Sequence, residues 1–259
     1  MEFGFIIAGL AVGFIVGMTG VGGGSLMTPI LLFFGIHPAT AVGTDLLYAS
    51  ITKAGGVLVH HKHRNIDWKI TGWLAIGSVP AALVTVAALH QMRAETETIN
   101  LVIKHSLGIA LMLTAVAIVF KQHLLRFAQR HVGVSSDLHG GLQRRWSTIA
   151  TGAILGVIVT LSSIGAGAIG TIALFLLFPL LPTARLVGTE IAHAVPLTLV
   201  AGLGHAGLGN MDWGLLANLL VGSLPGIYLG SQLTGRMPDH ILRPVLAGML
   251  VVVGGKLVF

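Results

Sequence analysis

Ten apolar runs, separated by short polar stretches, constrain this chain more than any other feature. They lie at about residues 3–18, 24–35, 39–59, 68–89, 99–120, 148–162, 167–181, 184–206, 213–234 and 240–258. Inside a bilayer each backbone N–H and C=O must be satisfied within the protein, so runs of this kind are expected to be helices. A crossing needs about 20 apolar residues. Segments three, four, five, eight, nine and ten reach that length; segments one, two, six and seven look short. Charged residues make up 9% of the chain, against about 25% in soluble domains. The expectation is an all-α polytopic membrane protein of about ten helical segments.

The sequence carries a formal charge of +6, yet the distribution of that charge argues against a nucleic-acid partner. If the ten segments cross in turn, one side holds Lys62, Arg64, Lys69, Lys121, Arg126, Arg130, Arg144, Arg145, Arg185, Arg236 and Arg243. The other keeps little beyond Arg93, Lys104 and Lys256. By the positive-inside rule the first side is cytoplasmic, and both termini face the periplasm. Residues 1–10 hold one acid and no base, so they lack the basic start of a signal peptide and are expected to remain in the mature protein. Cysteine is absent, which removes thiol and disulfide chemistry.

A repeat organises the segments. Gly43-Thr44-Asp45 returns 145 positions later as Gly188-Thr189-Glu190. Asp67-Trp68 returns as Asp212-Trp213, Gly77-Ser78-Val79-Pro80 as Gly222-Ser223-Leu224-Pro225, and His60 as His205, all at the same offset. Val21-Gly22-Gly23-Gly24 aligns with Ile164-Gly165-Ala166-Gly167 at an offset of 143. The reading is a first repeat over 1–120, a basic cytoplasmic connector over 121–146, and a second repeat over 147–259. Five segments per half is an odd number, so the second half is expected upside down relative to the first. Inverted repeats of this kind belong to transporters.

The ordered set Gly17-Met18-Thr19-Gly20-Val21-Gly22-Gly23-Gly24-Ser25, Pro29, His37-Pro38, Ala41-Val42-Gly43-Thr44-Asp45 and Gly77-Ser78-x-Pro80, with its echo in the second half, resembles the sulfite exporter TauE/SafE family. The likeness covers nearly the whole chain. It implies a bacterial inner-membrane transporter of small sulfur-containing or carboxylated anions such as sulfite or sulfonates. The second-half turn, Ser162-Ser163-Ile164-Gly165-Ala166-Gly167, carries fewer glycines than the first.

The candidate substrate site is the pair of Gly- and Ser-rich turns. Two short helices meeting inside the membrane at residues 19–25 would fit the short first segments. Glycine permits unusual backbone angles and close ligand approach, and a helix starting near Ser25 would offer free N–H groups and a positive dipole end to an anion. Thr28-Pro29 suits the start of that helix. The substrate-binding candidates are Gly22, Gly23, Gly24, Ser25, Thr44, Ser162, Ser163, Gly165, Gly167 and Thr189. Gly9, Gly13 and Gly17, like Gly222, Gly226 and Gly230, are spaced as packing faces and receive no ligand role.

The ion-coupling candidates are Asp45, Glu190 and His193. Both acids lie about seven or eight residues inside long segments, ~10–12 Å at ~1.5 Å per residue. An acid within a membrane costs about 2.5–3.5 kcal/mol and is a functional hypothesis by default. Burial favours the neutral acid, so these groups could carry H⁺, or bind Na⁺ beside exposed carbonyls. The alternative is structural: a helix cap, or a hydrogen bond to the Gly-rich turn. His193 shares a helical face with Glu190 and could relay protons or simply pack. Lys53, the one base well inside a long segment, could attract an anion in the pore or snorkel to the cytoplasmic edge, and the edge is the favoured reading. His60, His61 and His63 read as a solvated loop beside Lys62 and Arg64, and no metal or cofactor is expected. An enzyme would need a nucleophile with a base, or a metal site; Gly-x-Ser-x-Gly, His-Glu-x-x-His and Cys are all missing. A passive channel is the closer alternative.

Overall fold

The chain folds as helices because the segments that hold its apolar residues have no other way to satisfy their backbone. The computed structural model describes residues 2–19, 24–91, 96–131, 141–232 and 239–258. Among them lie ten helices: α1 (Glu2–Thr19), α2 (Gly24–Phe33), α3 (Pro38–Lys62), α4 (Trp68–Gln91), α5 (Thr96–His131), α6 (Leu142–Ser162), α7 (Ala168–Leu177), α8 (Thr183–Gly207), α9 (Trp213–Gln232) and α10 (Asp239–Val258). Starts are marked by local chemistry. Pro38 opens α3, where a missing N–H costs nothing. The Asp67 carboxylate accepts from the Lys69 and Ile70 N–H groups at the head of α4, and Asp212 accepts from Leu215 at the head of α9.

Two expectations about length need correction. Segment six looks short in the sequence, but α6 has 21 residues and is long and apolar enough to cross a membrane, as are α4, α8 and residues Leu101–Phe120 of α5. Its first turns, Leu142 to Ser147, include Gln143, Arg144 and Arg145, so the apolar run starts well after the helix does. At the other end of the connector, α5 continues as far as His131. Pro29 lies within α2, which begins at Gly24, and therefore does not mark the helix start.

Helices α2 and α7 have 10 residues each, about 15 Å, or roughly half the ~30 Å hydrocarbon layer. Each folds back along the helix before it. The rings of Phe5 and Phe34 meet edge to face with centroids 5.4 Å apart, joining the start of α1 to the end of α2. The Arg144 guanidinium sits 5.8 Å from the Phe178 ring centroid, joining the start of α6 to the end of α7. The inner end of the second hairpin is deep in the protein, with Ser163 and Ile164 buried.

Helix pairing is nearly unchanged when each helix is exchanged for the one five places on. α1 packs on α9 and α4 on α6; α3 packs on α8 and α5 on α10. Two glycine seams hold the outer pairs. A β-carbon at Gly9 or Gly13 would run into the carbonyls of Leu219 and Ser223, and one at Gly222 or Gly226 into those of Ile6 and Leu10. In the other pair, Gly152 and Gly156 face Leu74 and Ser78 in the same way, and Gly77 faces Ile149. The centre is the α3–α8 contact. Gly202 meets Leu47, the Ser50 hydroxyl donates to the Val195 carbonyl at 3.3 Å, and Gly56 meets Ile191, so the two helices run antiparallel. Large apolar side chains such as Ile76, Leu83, Val84, Ile109 and Val221 remain exposed, as a lipid-facing surface requires.

Candidate functional site

The two half-helices and the α3–α8 crossing bring the buried polar side chains together. Backbone geometry sets the second turn. Ser163, the residue after α6, takes the left-handed conformation (φ 57), and Gly165 has φ 116, a region that favours glycine. The Gly165 carbonyl then accepts from both the Gly167 and Gly170 N–H groups, at 2.8 and 2.9 Å, which launches α7. Among the described residues the Ala168 and Ile169 N–H groups have no acceptor, as expected at a helix N-terminus.

Asp45 of α3 is fully buried. One of its oxygens, Oδ2, accepts from the Thr28 hydroxyl of α2 and from the Ser163 hydroxyl at 3.0 Å. A single carboxylate thus links α2, α3 and the second turn. Its Oδ1 has no partner among the described residues. Glu190 of α8 is also buried, and its Oε1 likewise has none. It lies against the first turn of α7: a β-carbon at Gly170 would stand 3.1 Å from the Glu190 Cγ and 3.2 Å from Oε1. Glycine at that position makes room for the carboxyl.

Lys53 does not snorkel. It is 5% exposed, and its ammonium donates to the Ala166 carbonyl in the second turn. Its charge acts on Asp45, Glu190 and His193. The reason is the turn itself, which presents a free carbonyl to a side chain already inside the protein. Snorkelling needs an unobstructed path to water, and here the packed turn closes it. His193 of α8 is buried, with Nε2 2.8 Å from the Ser78 hydroxyl of α4 and Nδ1 unpartnered among the described residues.

Other candidates have structural partners. Ser162 donates to the Ile158 carbonyl at 2.6 Å and accepts from the Ile164 N–H at 3.2 Å, so it shapes the turn. The Thr44 hydroxyl accepts from the Asp212 N–H at 3.2 Å, and the Thr189 hydroxyl accepts from the Asp67 N–H at 2.9 Å. Each threonine therefore ties α3 or α8 to the loop before α9 or α4. Gly22 and Gly23 lie outside the described residues; Gly24 and Ser25 are the first two residues of α2.

Three participants escaped sequence reasoning as site members. Thr28 was read only as part of a helix start. Lys53 reads from the sequence as an anion-attracting base or, slightly favoured, an edge residue. Ser78 was noted in a repeated motif without a role, although the recurrence of Gly-Ser-x-Pro at 77 and 222 was a usable signal.

A family model described as sulfite exporter TauE/SafE matches residues 5–257. The "Probable membrane transporter protein YjnA" of Bacillus subtilis is 41% identical over 258 residues, covering 100% of both chains. A second from that organism, YdhB, is 29% identical over 95% of this chain and 98% of its own. A third, MJ0441 of Methanocaldococcus jannaschii, is 29% identical over 96% and 92%. No solved structure matches significantly. The extent of the family match and of these identities means that the chain belongs to the sulfite exporter TauE/SafE family of membrane proteins.

Proposed function

We propose that this protein is a secondary transporter of small organic or inorganic anions, sulfite, sulfonates and related carboxylates being the candidates, across the bacterial inner membrane. It consists of two inverted repeats, 1–120 and 147–259, joined by a cytoplasmic connector, with both termini periplasmic. One observation carries the reading. Helices α3 and α8, which bear the buried acids Asp45 and Glu190 at equivalent positions, run antiparallel and touch at Ser50 and Val195, themselves equivalent. A twofold relation about that contact gives the two alternative packings that alternating access requires. The paired hairpins α1–α2 and α6–α7 support re-entrant half-helices in each repeat.

In this reading Ser163, Gly165, Gly167 and the start of α7 contact the anion, with Gly22, Gly23, Gly24 and Ser25 as their counterparts. Asp45, Glu190 and His193 handle the coupling ion, H⁺ or Na⁺. Thr44 and Thr189 hold the loops that flank the site. The relatives' names as transporters favour transport over catalysis. Flux of a labelled sulfonate into liposomes, with and without a pH or sodium gradient, tests the assignment. Gradient-driven accumulation is the expected result, and Asp45→Asn and Glu190→Gln should abolish its gradient dependence. Flux that only equilibrates the anion, indifferent to both gradients, would make the protein a channel.

A further inference from the structure

The transport reading leaves Lys53 without a role, although it is the one lysine buried at the α3–α8 contact among the described residues. A buried ammonium is costly unless compensated. Here its hydrogen-bond partner is a neutral carbonyl, Ala166, while two carboxyls within its field each keep an unpartnered oxygen. The charge is thus only partly neutralised by direct contact. The same turn carries the Ala168 and Ile169 N–H groups, which also have no acceptor among the described residues. An ammonium and a helix N-terminus converge on one short stretch of backbone, beside the Ser163 hydroxyl that donates to Asp45. These are the donors that bind an oxyanion.

We infer that Lys53 is the counter-charge for a transported monovalent oxyanion, bound between its ammonium and the first turn of α7, and that one proton enters with each anion. The inference rests on the transport reading and deepens it. The charge count supplies the second part. The titratable groups facing Lys53 are Asp45 on its own helix and Glu190 and His193 on α8; Tyr48 of α3 lies near Asp45. The residues of other elements that touch these three groups are Thr28 and Ser163 against Asp45, Gly170 against Glu190 and Ser78 against His193, none of which titrates. One ammonium and two carboxyls make a neutral set when one carboxyl holds a proton. A monoanion restores neutrality only if the remaining carboxylate takes a proton from the same side. A dianion would need a second proton, and with one carboxyl already protonated the pair has room for only one more. Anion and proton therefore cross together without net charge, and sulfonates, carboxylates or bisulfite fit better than sulfate.

The test uses the full chain in liposomes, with methanesulfonate, bisulfite and acetate as probes. Methanesulfonate is the decisive one, because its conjugate acid is too strong to carry protons across lipid unaided. The wild type should take up methanesulfonate with acidification of the lumen, at a rate indifferent to a clamped membrane potential and to excess sulfate. Lys53→Gln keeps a donor for the Ala166 carbonyl but loses the charge. It should fold, as judged by its helical circular dichroism and elution as a single species, and lose flux by about tenfold or more. Lys53→Arg should retain part of the flux. Undiminished flux in Lys53→Gln, uptake driven by membrane potential without proton entry, or effective competition by sulfate would each overturn this inference and leave the transport reading standing. A wild type that carries none of the three probes would overturn the transport reading, and this inference with it.

Discussion

At the scale of single residues, the offset of 145 describes backbone conformation as well as residue identity. Arg64 follows α3 with φ 56, and Gly209 follows α8 with φ 80. Both ends are closed the same way. The Asn65 and Asn210 N–H groups reach back to the His60 and His205 carbonyls at 2.9 and 3.0 Å, and the Arg64 and Gly209 N–H groups to those of His61 and Ala206, both at 3.0 Å. This is the Schellman arrangement, which favours glycine at the left-handed position. Arginine there carries a steric cost that glycine avoids. Arg64→Gly should therefore stabilise the protein by about 0.5–1 kcal/mol after glycine's entropic cost is deducted, read as a higher melting temperature in detergent. An unchanged or lower value would mean that the arginine side chain contributes more than its backbone conformation costs. The next residues show the same equivalence. Gly43 is forced by the Asn210 carbonyl and Gly188 by the Asn65 carbonyl, since a β-carbon at either would collide with backbone.

At the scale of helices, the seams decide which residues can be glycine. α1 and α9 approach until Gly9, Gly13, Gly222 and Gly226 meet the facing backbone, and no side chain fits between them. Without a hydrophobic drive between helices in lipid, such close packing is a main source of association. Gly222→Leu should lower the melting temperature by overpacking, with a cost of about 1–3 kcal/mol or more. Gly248→Leu, on α10 with open space around its Cα, should leave it unchanged. Equal melting temperatures for the two variants would remove the seam's role. These glycine spacings were legible in the sequence, as were the ten segments, the short second helix of each half and the carboxyl pair. The start of α6 was not, because Gln143, Arg144 and Arg145 occupy turns that need not be apolar. Nor was the burial of Lys53. A lone lysine within an apolar run reads as an edge residue until a distant segment, here the 162–167 turn, is known to lie over it. Asp45 was legible as a buried acid, whereas Thr28 and Ser163, its partners from α2 and the second turn, emerge only from tertiary packing.

At the scale of the whole molecule, the remaining question is which way each half faces the membrane, and the absence of native cysteine makes it accessible. Lys62 near the end of α3 and Gly207 at the end of α8 are equivalent by the 145 offset, and both are exposed. Space around Gly207 is open, so a cysteine side chain fits there without disturbing the helix. Two further contacts bear on their relative positions. Arg185 pairs with Asp67 at 3.0 Å, so the start of α8 lies beside the start of α4 and hence beside the end of α3. Thr44, near the start of α3, bonds Asp212 at the head of α9, next to the end of α8. The ends of α3 and α8 therefore lie at opposite poles of the protein. Lys62, Arg64, Lys69 and Arg185 stand at the Lys62 pole, and by the positive-inside rule that pole is expected in the cytoplasm. In intact cells a membrane-impermeant maleimide should label Gly207→Cys, and Lys62→Cys only after permeabilisation. Labelling of both from outside would contradict the inverted arrangement. Labelling of Lys62→Cys alone would keep the inversion and reverse the orientation, placing both termini in the cytoplasm.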